Sequence, residues 1–346
     1  MTKKVGVYGG KFNILHNGHM STLLKAYSSC DELFIFVMED IEFEKERYNQ
    51  FNIEYIPAWK RVRWFTEELK GLDNIHVTYI EHKNTYRLED WKKGGDAMIS
   101  YIKEHSKYSK DGKFDIMFSS EPSYDKIFKE LYPFAEHIVF SKEFGLSATK
   151  ILEDGIFNHL NDIPKSVRRD FIKKIAILGG ESSGKSSLTI KLAKYFNTEF
   201  ISEYGRSHWA FYNGGLGKVF DENDYKYLTY KQKALEFEAL DRCNKYLFVD
   251  TETIVTETWL NQYEKIENKI LEEISKEEDY CIYLLLTPES EFIQDGTRNF
   301  GEPNERIEIF EEMKSRLEKL NKNYIVINGN HYEKFLKSIE IIKSLG

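Results

Sequence analysis

The sequence predicts an α/β protein made of two doubly wound parallel-sheet domains in one chain. Three observations carry that expectation. Its 346 residues are too many for one ordinary domain and suit two. Short apolar runs alternate with segments of helical apolar spacing along the chain, the pattern of parallel strands joined through helices. A glycine-bearing strand-to-helix turn also opens each half, at residues 9–19 and 179–187.

In the first half, strands are expected at Val5–Tyr8, Leu33–Met38, Ile75–Ile80, Phe114–Phe118 and His137–Phe140. Helices fall between them: one bearing Met20, Leu23, Leu24 and Tyr27, one at Trp59–Leu69, and one near Ala97–Ile102. Gly9-Gly10-Lys11-Phe12-Asn13-Ile14-Leu15-His16-Asn17-Gly18-His19 follows the first strand. Ligands of such sheets sit beyond the carboxyl ends of the strands, which is where His16 and His19 fall. Imidazole N–H groups hydrogen-bond phosphate oxygens and stabilise charge as a phosphoryl bond breaks, and Gly18 permits close backbone approach. Loop histidines without function are the competing account of so short a motif. Zinc is weaker still, because no third ligand stands at a telling distance. Arg61 and Arg63, flanking Trp64, read as a solvated helix face rather than a substrate clamp.

Residues 158–170 are polar, contain Pro164 and read as a linker between domains at 1–157 and 171–346. The second half opens on the apolar strand Ile175–Leu178. It breaks into Gly179-Gly180-Glu181-Ser182-Ser183-Gly184-Lys185-Ser186-Ser187, a full G-x-x-x-x-G-K-S phosphate loop. Leu188, Ile190, Leu192 and Ala193 then give a packed helix. The glycines let backbone amides turn inward around phosphate oxygens at a helix N-terminus. Lys185 brings a point charge to the β- and γ-phosphates, and the Ser186 hydroxyl suits a Mg²⁺ shell. A nucleoside triphosphate is expected here.

Further strands are expected at Glu199–Ser202, Tyr246–Asp250, Ile282–Leu286 and Tyr324–Ile327. A loop marked by Gly214, Gly215 and Gly217 precedes a long helix, Tyr225–Arg242. The acidic stretch Glu267–Glu278 reads as a helix burying Ile270, Leu271 and Ile274. An apolar strand ending in Asp250 has the form of a metal-side carboxylate; a turn or helix cap is the bland alternative, and the phosphate loop tips the reading toward metal. Thr251 and Thr253 are expected to cap the next helix. Asp295–Gly301 resembles a lid whose Arg298, with Arg306, reaches phosphate oxygens; a surface loop with solvated arginines is the rival account.

Composition narrows the class. A net charge of −8 argues against a nucleic-acid-coating protein. Cys30, Cys243 and Cys281 are far apart with no C-x-x-C pair, as in reduced, packed cysteines. The opening Met1-Thr2-Lys3-Lys4 and short strand are too brief for a signal sequence, and no apolar run approaches membrane-spanning length. A cytoplasmic protein is expected, with homo-oligomerisation left open.

The G-K-F-x-x-x-H-x-G-H run resembles the signature of HxGH nucleotidyltransferases. Leu146-Ser147-Ala148-Thr149-Lys150-Ile151-Leu152 stands where that superfamily has I-S-x-T-x-x-R, and Ser119-Ser120-Glu121-Pro122 resembles its strand-end loop. Joined in this order to a phosphate-loop half, with Ile163-Pro164-Lys165 at the junction and Glu203-Tyr204-Gly205-Arg206 beyond the loop, the chain resembles the bifunctional nicotinamide-mononucleotide adenylyltransferase/ribosylnicotinamide kinase family of the NadR type. Some relatives carry an N-terminal helix-turn-helix domain; this chain begins in the first strand, so no operator binding is expected.

The resemblance implies a Rossmann-like transferase domain followed by a P-loop kinase domain, both using ATP and Mg²⁺, in NAD salvage. It places Gly10, Lys11, Phe12, His16, Gly18, His19, Ser147, Thr149 and Lys150 around the transferase ATP, and Trp91 beside the nicotinamide ring or at the core edge. In the kinase half, Asp250 is favoured for metal or base and Glu203 for the ribose hydroxyls, with Tyr204, Tyr212 or Trp259 as ring partners or core residues. Two departures stand out: Asn13 and Ile14 where the signature usually has Pro, and Leu152 where its last Arg approaches the triphosphate. Losing that charge-assisted contact is worth about 1.5–3 kcal/mol. The alternative is therefore a kinase whose first domain is a weak or inactive transferase serving as a nucleotide-binding regulator. A third possibility is a transferase for another small phosphorylated substrate.

Overall fold

The computed structural model describes residues 3–85, 87–141, 143–213, 220–294 and 298–345, with the backbone alone at 209–213. The chain divides into two compact units, Met1–Asp170 and Phe171–Gly346. Residues 158–170, expected as a linker, fall within the first. Trp64 Nε1 donates to the Asp170 carboxylate at 2.6 Å, and the Ser166 amide to Glu68 at 3.2 Å.

In the first unit, β1 (Val5–Gly10), β2 (Glu32–Glu39), β3 (Ile75–Glu81), β4 (Ile116–Ser119) and β5 (Glu136–Val139) make a parallel sheet in the order β3-β2-β1-β4-β5. In the second, β6 (Lys173–Leu178), β7 (Phe200–Ile201), β8 (Tyr246–Asp250), β9 (Ile282–Leu286) and β10 (Tyr324–Ile327) make another, ordered β10-β9-β6-β8-β7. Each expected strand is present, with ends shifted by a residue or two. The first strand of each unit lies in the middle of its sheet, covered on both faces, which is why both read as unbroken apolar runs. Loops beyond β1 and β6 therefore open where the strand order reverses, the usual crevice for a ligand.

Helices depart further from expectation. The one expected near 97–102 runs over Leu88–His105, straight through Gly94-Gly95. Glycine disfavours helix, but packing requires it here. A Cβ on Gly94 would stand 2.6 Å from the His82 ring, and one on Gly95 would strike the Tyr132 hydroxyl. Helices Ile41–Asn49, Asp125–Leu131 and Ala148–Asp154 had no clear apolar repeat to announce them. Leu24 and Ile270 are exposed; the buried positions of their helices are Thr22, Leu23 and Ala26, and Leu271 and Ser275. Glu252, rather than either threonine, caps helix Thr253–Glu264, accepting from the Ile254 and Val255 amides at 2.9 and 3.3 Å.

Arg61 corrects the solvated-face reading outright. It is 0% exposed and its NH2 lies 2.5 Å from the equally buried Glu44 carboxylate. Arg63, two residues on, does face solvent and pairs with Glu67 at 2.9 Å. The helix Ala58–Glu68 turns position 61 inward beside Trp64 and Phe65. All three cysteines are free, their thiols pushed up to about 11 by burial. Among the described residues no helix is long and apolar enough to cross a membrane.

Removing one partner of a buried pair leaves an uncompensated charge. Arg61→Ala is expected to cost about 3–5 kcal/mol in urea unfolding, and the exposed Arg63→Ala less than about 1 kcal/mol.

Candidate active sites

In the first unit the loop after β1 turns through Phe12, whose φ is +49°. Arg61 fixes this turn. Its NH1 donates to the Lys11 carbonyl, to Asn13 Oδ1 at 3.1 Å and to the Met38 carbonyl at 3.3 Å. A cavity of about 450 Å³ opens above, lined by Gly10, Lys11, Phe12, His19, Trp91 and Thr149 among others.

His16 is the N-cap residue of helix Asn17–Ser28 and His19 lies in its first turn, so the two rings stack with centroids 3.7 Å apart. Gly18 admits that stack, since a Cβ there would lie 3.0 Å from the His16 ring. Burial pushes His16 down to about 4; burial, then the neighbouring His16, holds His19 well below the usual imidazole value. Both rings are thus neutral near pH 7, and Nδ1 of each is buried without a partner among the described residues. Neutral imidazoles with unmet hydrogen-bonding atoms suit phosphate recognition through N–H donation.

Lys11 lies over the Phe43 ring at 4.1 Å and donates to the Asn84 side chain; burial brings its ammonium down to about 8. Thr149 accepts from Arg47 at 2.5 Å, and both line the cavity. Ser147 instead caps helix Ala148–Asp154, accepting the Lys150 amide at 3.1 Å, and Lys150 is exposed. His16, Gly18, Ser147 and Lys150 are not part of the described cavity lining. Leu152 is buried in the core. With Leu152 in the core, Arg47 brings a charge to the cavity instead; the sequence reading missed it because it is one of five charged residues in the nine-residue helix Ile41–Asn49. Trp91 donates to the Thr85 carbonyl at 2.9 Å and meets His82, Tyr124 and Phe128 with centroids 5.3, 5.3 and 6.0 Å away.

In the second unit the phosphate loop leaves β6 at Gly179, whose φ of +148° brings it against Ser183 and Leu286, and enters helix Lys185–Tyr195 through the left-handed Gly184. A Cβ on Gly184 would stand 2.7 Å from the His331 ring. Lys185 is buried and donates to the Gly180 carbonyl at 3.2 Å. Asp250, at the end of the adjacent β8, is 1% exposed with Oδ1 unpartnered. Burial pushes its carboxyl up to about 6 against the pull of Lys185, Glu203 adds to the rise, and Ser186 hydrogen-bonds it. The loop thus brings Lys185, Ser186, Asp250 and Glu203 together.

Other expected residues serve the loop differently. Glu181 turns its carboxylate to the Asn299 and Phe300 amides, each at 2.9 Å. Arg298 donates to Ser182 Oγ at 3.0 Å, and the buried Arg306 to the Ser290 carbonyl at 2.8 Å. Neither is a solvated arginine. Tyr204 heads helix Tyr204–Asn213, its amide on Gln232 at 3.1 Å. Trp259 stacks on Phe300 at 5.9 Å. Asp295, Gly296, Thr297 and the Gly214, Gly215 and Gly217 loop lie outside the described residues, as does the Tyr212 side chain. Lys334, unforeseen, is buried and holds the loop from behind, donating to the carbonyls of Ser183 at 3.3 Å and Thr287 at 2.7 Å.

Residues 7–154 match the cytidylyltransferase-like family and 174–334 the AAA domain family. The trifunctional NAD biosynthesis/regulator protein NadR of Escherichia coli (strain K12) is 28% identical over 99% of this chain and 83% of its own length. That of Salmonella typhimurium is 27% identical over the same shares. The similarity to these NadR proteins runs along nearly the whole chain. Its fold agrees: a crystal structure of a NadR protein in complex with NR superposes with a TM-score of 0.79 at 22% identity, covering 99% of this chain and 96% of that one. A NadR protein in complex with NAD and AMP-PNP gives 0.77 at 21%, with the same coverage. The chain is accordingly an enzyme with a cytidylyltransferase-like unit and a phosphate-loop unit.

The buried His16 ties stability to pH. Its pKa falls from about 6.5 in an unfolded chain to about 4 in the fold, so its contribution is complete above pH 6.5 and is lost as pH falls toward 4. That amounts to about 3 kcal/mol. Urea unfolding across this range is expected to steepen on the acid side, and His16→Gln to flatten it.

Proposed function

We propose that the chain makes NAD in two ATP-dependent steps. The second unit phosphorylates ribosylnicotinamide to nicotinamide mononucleotide, and the first transfers an adenylyl group from ATP to that product, giving NAD and pyrophosphate. One observation carries the reading: a chain related to NadR over 99% of its length pairs a phosphate loop beside an orphaned buried carboxylate with a neutral histidine pair whose His19 lines a tryptophan-walled cavity.

In the kinase step, phosphate-loop amides and Lys185 hold the triphosphate. The 5′-hydroxyl attacks the γ-phosphorus, its proton passes to Asp250 or Glu203, and ADP leaves. A carboxyl raised to about 6 is well matched to accepting that proton near neutral pH. Mg²⁺ fits the same corner, where Asp250 Oδ1 is orphaned and Ser186 hydrogen-bonds the same carboxylate. Bound there, it would neutralise developing phosphate charge. Glu203 is assigned to the ribose hydroxyls.

In the transferase step, a phosphate oxygen of the mononucleotide attacks the α-phosphorus of ATP in line and pyrophosphate departs. No protein nucleophile is needed; positioning and charge stabilisation carry the rate. His19 and Lys11 face the phosphates with Arg47 and Thr149, His16 supports His19 by stacking, and Trp91 walls the pyridine ring. The rival reading, an idle first unit, rests on Leu152. Arg47 in the cavity lining weighs against it.

The test incubates the chain with ATP, Mg²⁺ and ribosylnicotinamide and follows mononucleotide and NAD separately. His19→Ala is expected to stop NAD while mononucleotide still forms. Lys185→Ala is expected to stop phosphorylation yet leave NAD formation from added mononucleotide. Mononucleotide without NAD in the wild type would favour the idle-transferase reading, and neither product would sink the substrate assignment. Arg47→Ala is expected to slow adenylyl transfer about ten- to hundredfold, the worth of a charge-assisted contact.

A further inference from the structure

A relay of three polar side chains, unused by the chemistry above, adjoins the aromatic wall of the first cavity. Ser119, the last residue of β4, lines that cavity. Its hydroxyl lies 2.8 Å from His137 Nε2 on β5, and His137 Nδ1 lies 3.2 Å from Asp125 Oδ1. The imidazole is only 2% exposed, and Phe128 stands edge-on to it at 4.9 Å. Phe128 also packs against Trp91, so relay and wall share a side chain.

Hydrogen-bonding capacity sets the direction of this relay. Asp125, paired with Lys129 at 2.6 Å, is an ionised carboxylate that can only accept. His137 Nδ1 therefore carries the proton that faces Asp125, and in that tautomer Nε2 is the acceptor. Ser119 donates to that nitrogen; the Glu121 carbonyl competes for the same proton only from 3.3 Å. The serine oxygen accepts the Glu121 amide at 3.2 Å, which leaves it one further lone pair.

We propose that Ser119, oriented by His137 and Asp125, accepts a hydrogen bond from the substrate carboxamide and so selects the amidated pyridine nucleotide over its carboxylate counterpart. This rests on reading the first unit as a nicotinamide-mononucleotide transferase. A carboxamide brings N–H donors to that lone pair. A carboxylate brings only lone pairs of its own, and leaves a buried acceptor unpaired. Sites built around a committed hydrogen bond reject the mismatched analogue for that reason. Ser119 is then a specificity residue, with His137 and Asp125 as positioning residues.

The test compares kcat/KM for nicotinamide mononucleotide and nicotinic acid mononucleotide, with ATP, on the full chain. Ser119→Ala is expected to lower the amide-over-acid ratio about tenfold, through KM for the mononucleotide with KM for ATP unchanged. Ser119→Thr keeps the hydroxyl and is expected to keep the ratio. Asp125→Asn, on a half-exposed helix position, is expected to lower the ratio severalfold, because an amide can donate to Nδ1 and turn the ring's proton toward Ser119. A ratio within twofold of wild type in both Ser119→Ala and Asp125→Asn overturns the inference. If the wild type adenylylates neither nucleotide, the underlying reading falls and takes this inference with it.

Discussion

A single buried guanidinium fixes the geometry of the first site. Arg61 joins the loop after β1, the end of β2 and helix Ile41–Asn49 through Lys11, Asn13, Met38 and Glu44. Those segments carry Lys11 and Arg47 and lead directly into the histidine pair. Burying such a pair costs several kcal/mol per ion in desolvation, which only good geometry and extra hydrogen bonds offset. The balance is visible in Glu44, where burial outweighs even the Arg61 charge and pushes the carboxyl up to about 7. A hydrophobic pair of equal volume could match that stability. It would not hold a carbonyl and a side-chain oxygen of the loop through one donor. The interaction therefore contributes placement more than free energy.

The second unit solves the same problem with charges on the far side of its loop. Lys334 donates to backbone carbonyls behind the phosphate loop, and burial lowers its pKa. Glu181 holds two amides of the segment after residue 298, with Tyr263 Oη at 3.4 Å. Burial raises this carboxyl, its backbone hydrogen bonds lower it, and the rise prevails. Arg298 and Arg306 add bonds between the same two segments and the chain around Ser290. A loop whose amides must point inward at a ligand cannot satisfy itself, so its rigidity comes from neighbours.

What the sequence made legible follows from what is local. Buried strands announce themselves by composition, and glycine at Gly179 and Gly184 by a turn that other residues resist. Both sheets and both strand-end motifs were readable on those grounds. Tertiary neighbours were not. Arg61 reads as surface because nothing nearby in sequence reveals Glu44 across the turn, and Arg47 reads as one charge among many. The helix through Gly94-Gly95 extends beyond its expected range, and the crowding that requires these glycines comes from His82 on one side and Tyr132 on the other. Ser119, His137 and Asp125 come from two strands and a helix, and only the register of β4 with β5 makes them a relay.

The shifted groups also bear on how the two roles open to Asp250 relate. Burial alone favours its neutral form, and Lys185 opposes that only in part. An arriving triphosphate adds negative charge and drives the carboxyl further toward protonation unless a cation arrives with it. With such a cation beside it, Asp250 would be held ionised, with its lone pairs engaged. Base and metal ligand are thus not alternatives to be chosen once for this carboxylate. On the proposed reading they are two charge states of the same corner, and the ion that accompanies the phosphates would decide between them.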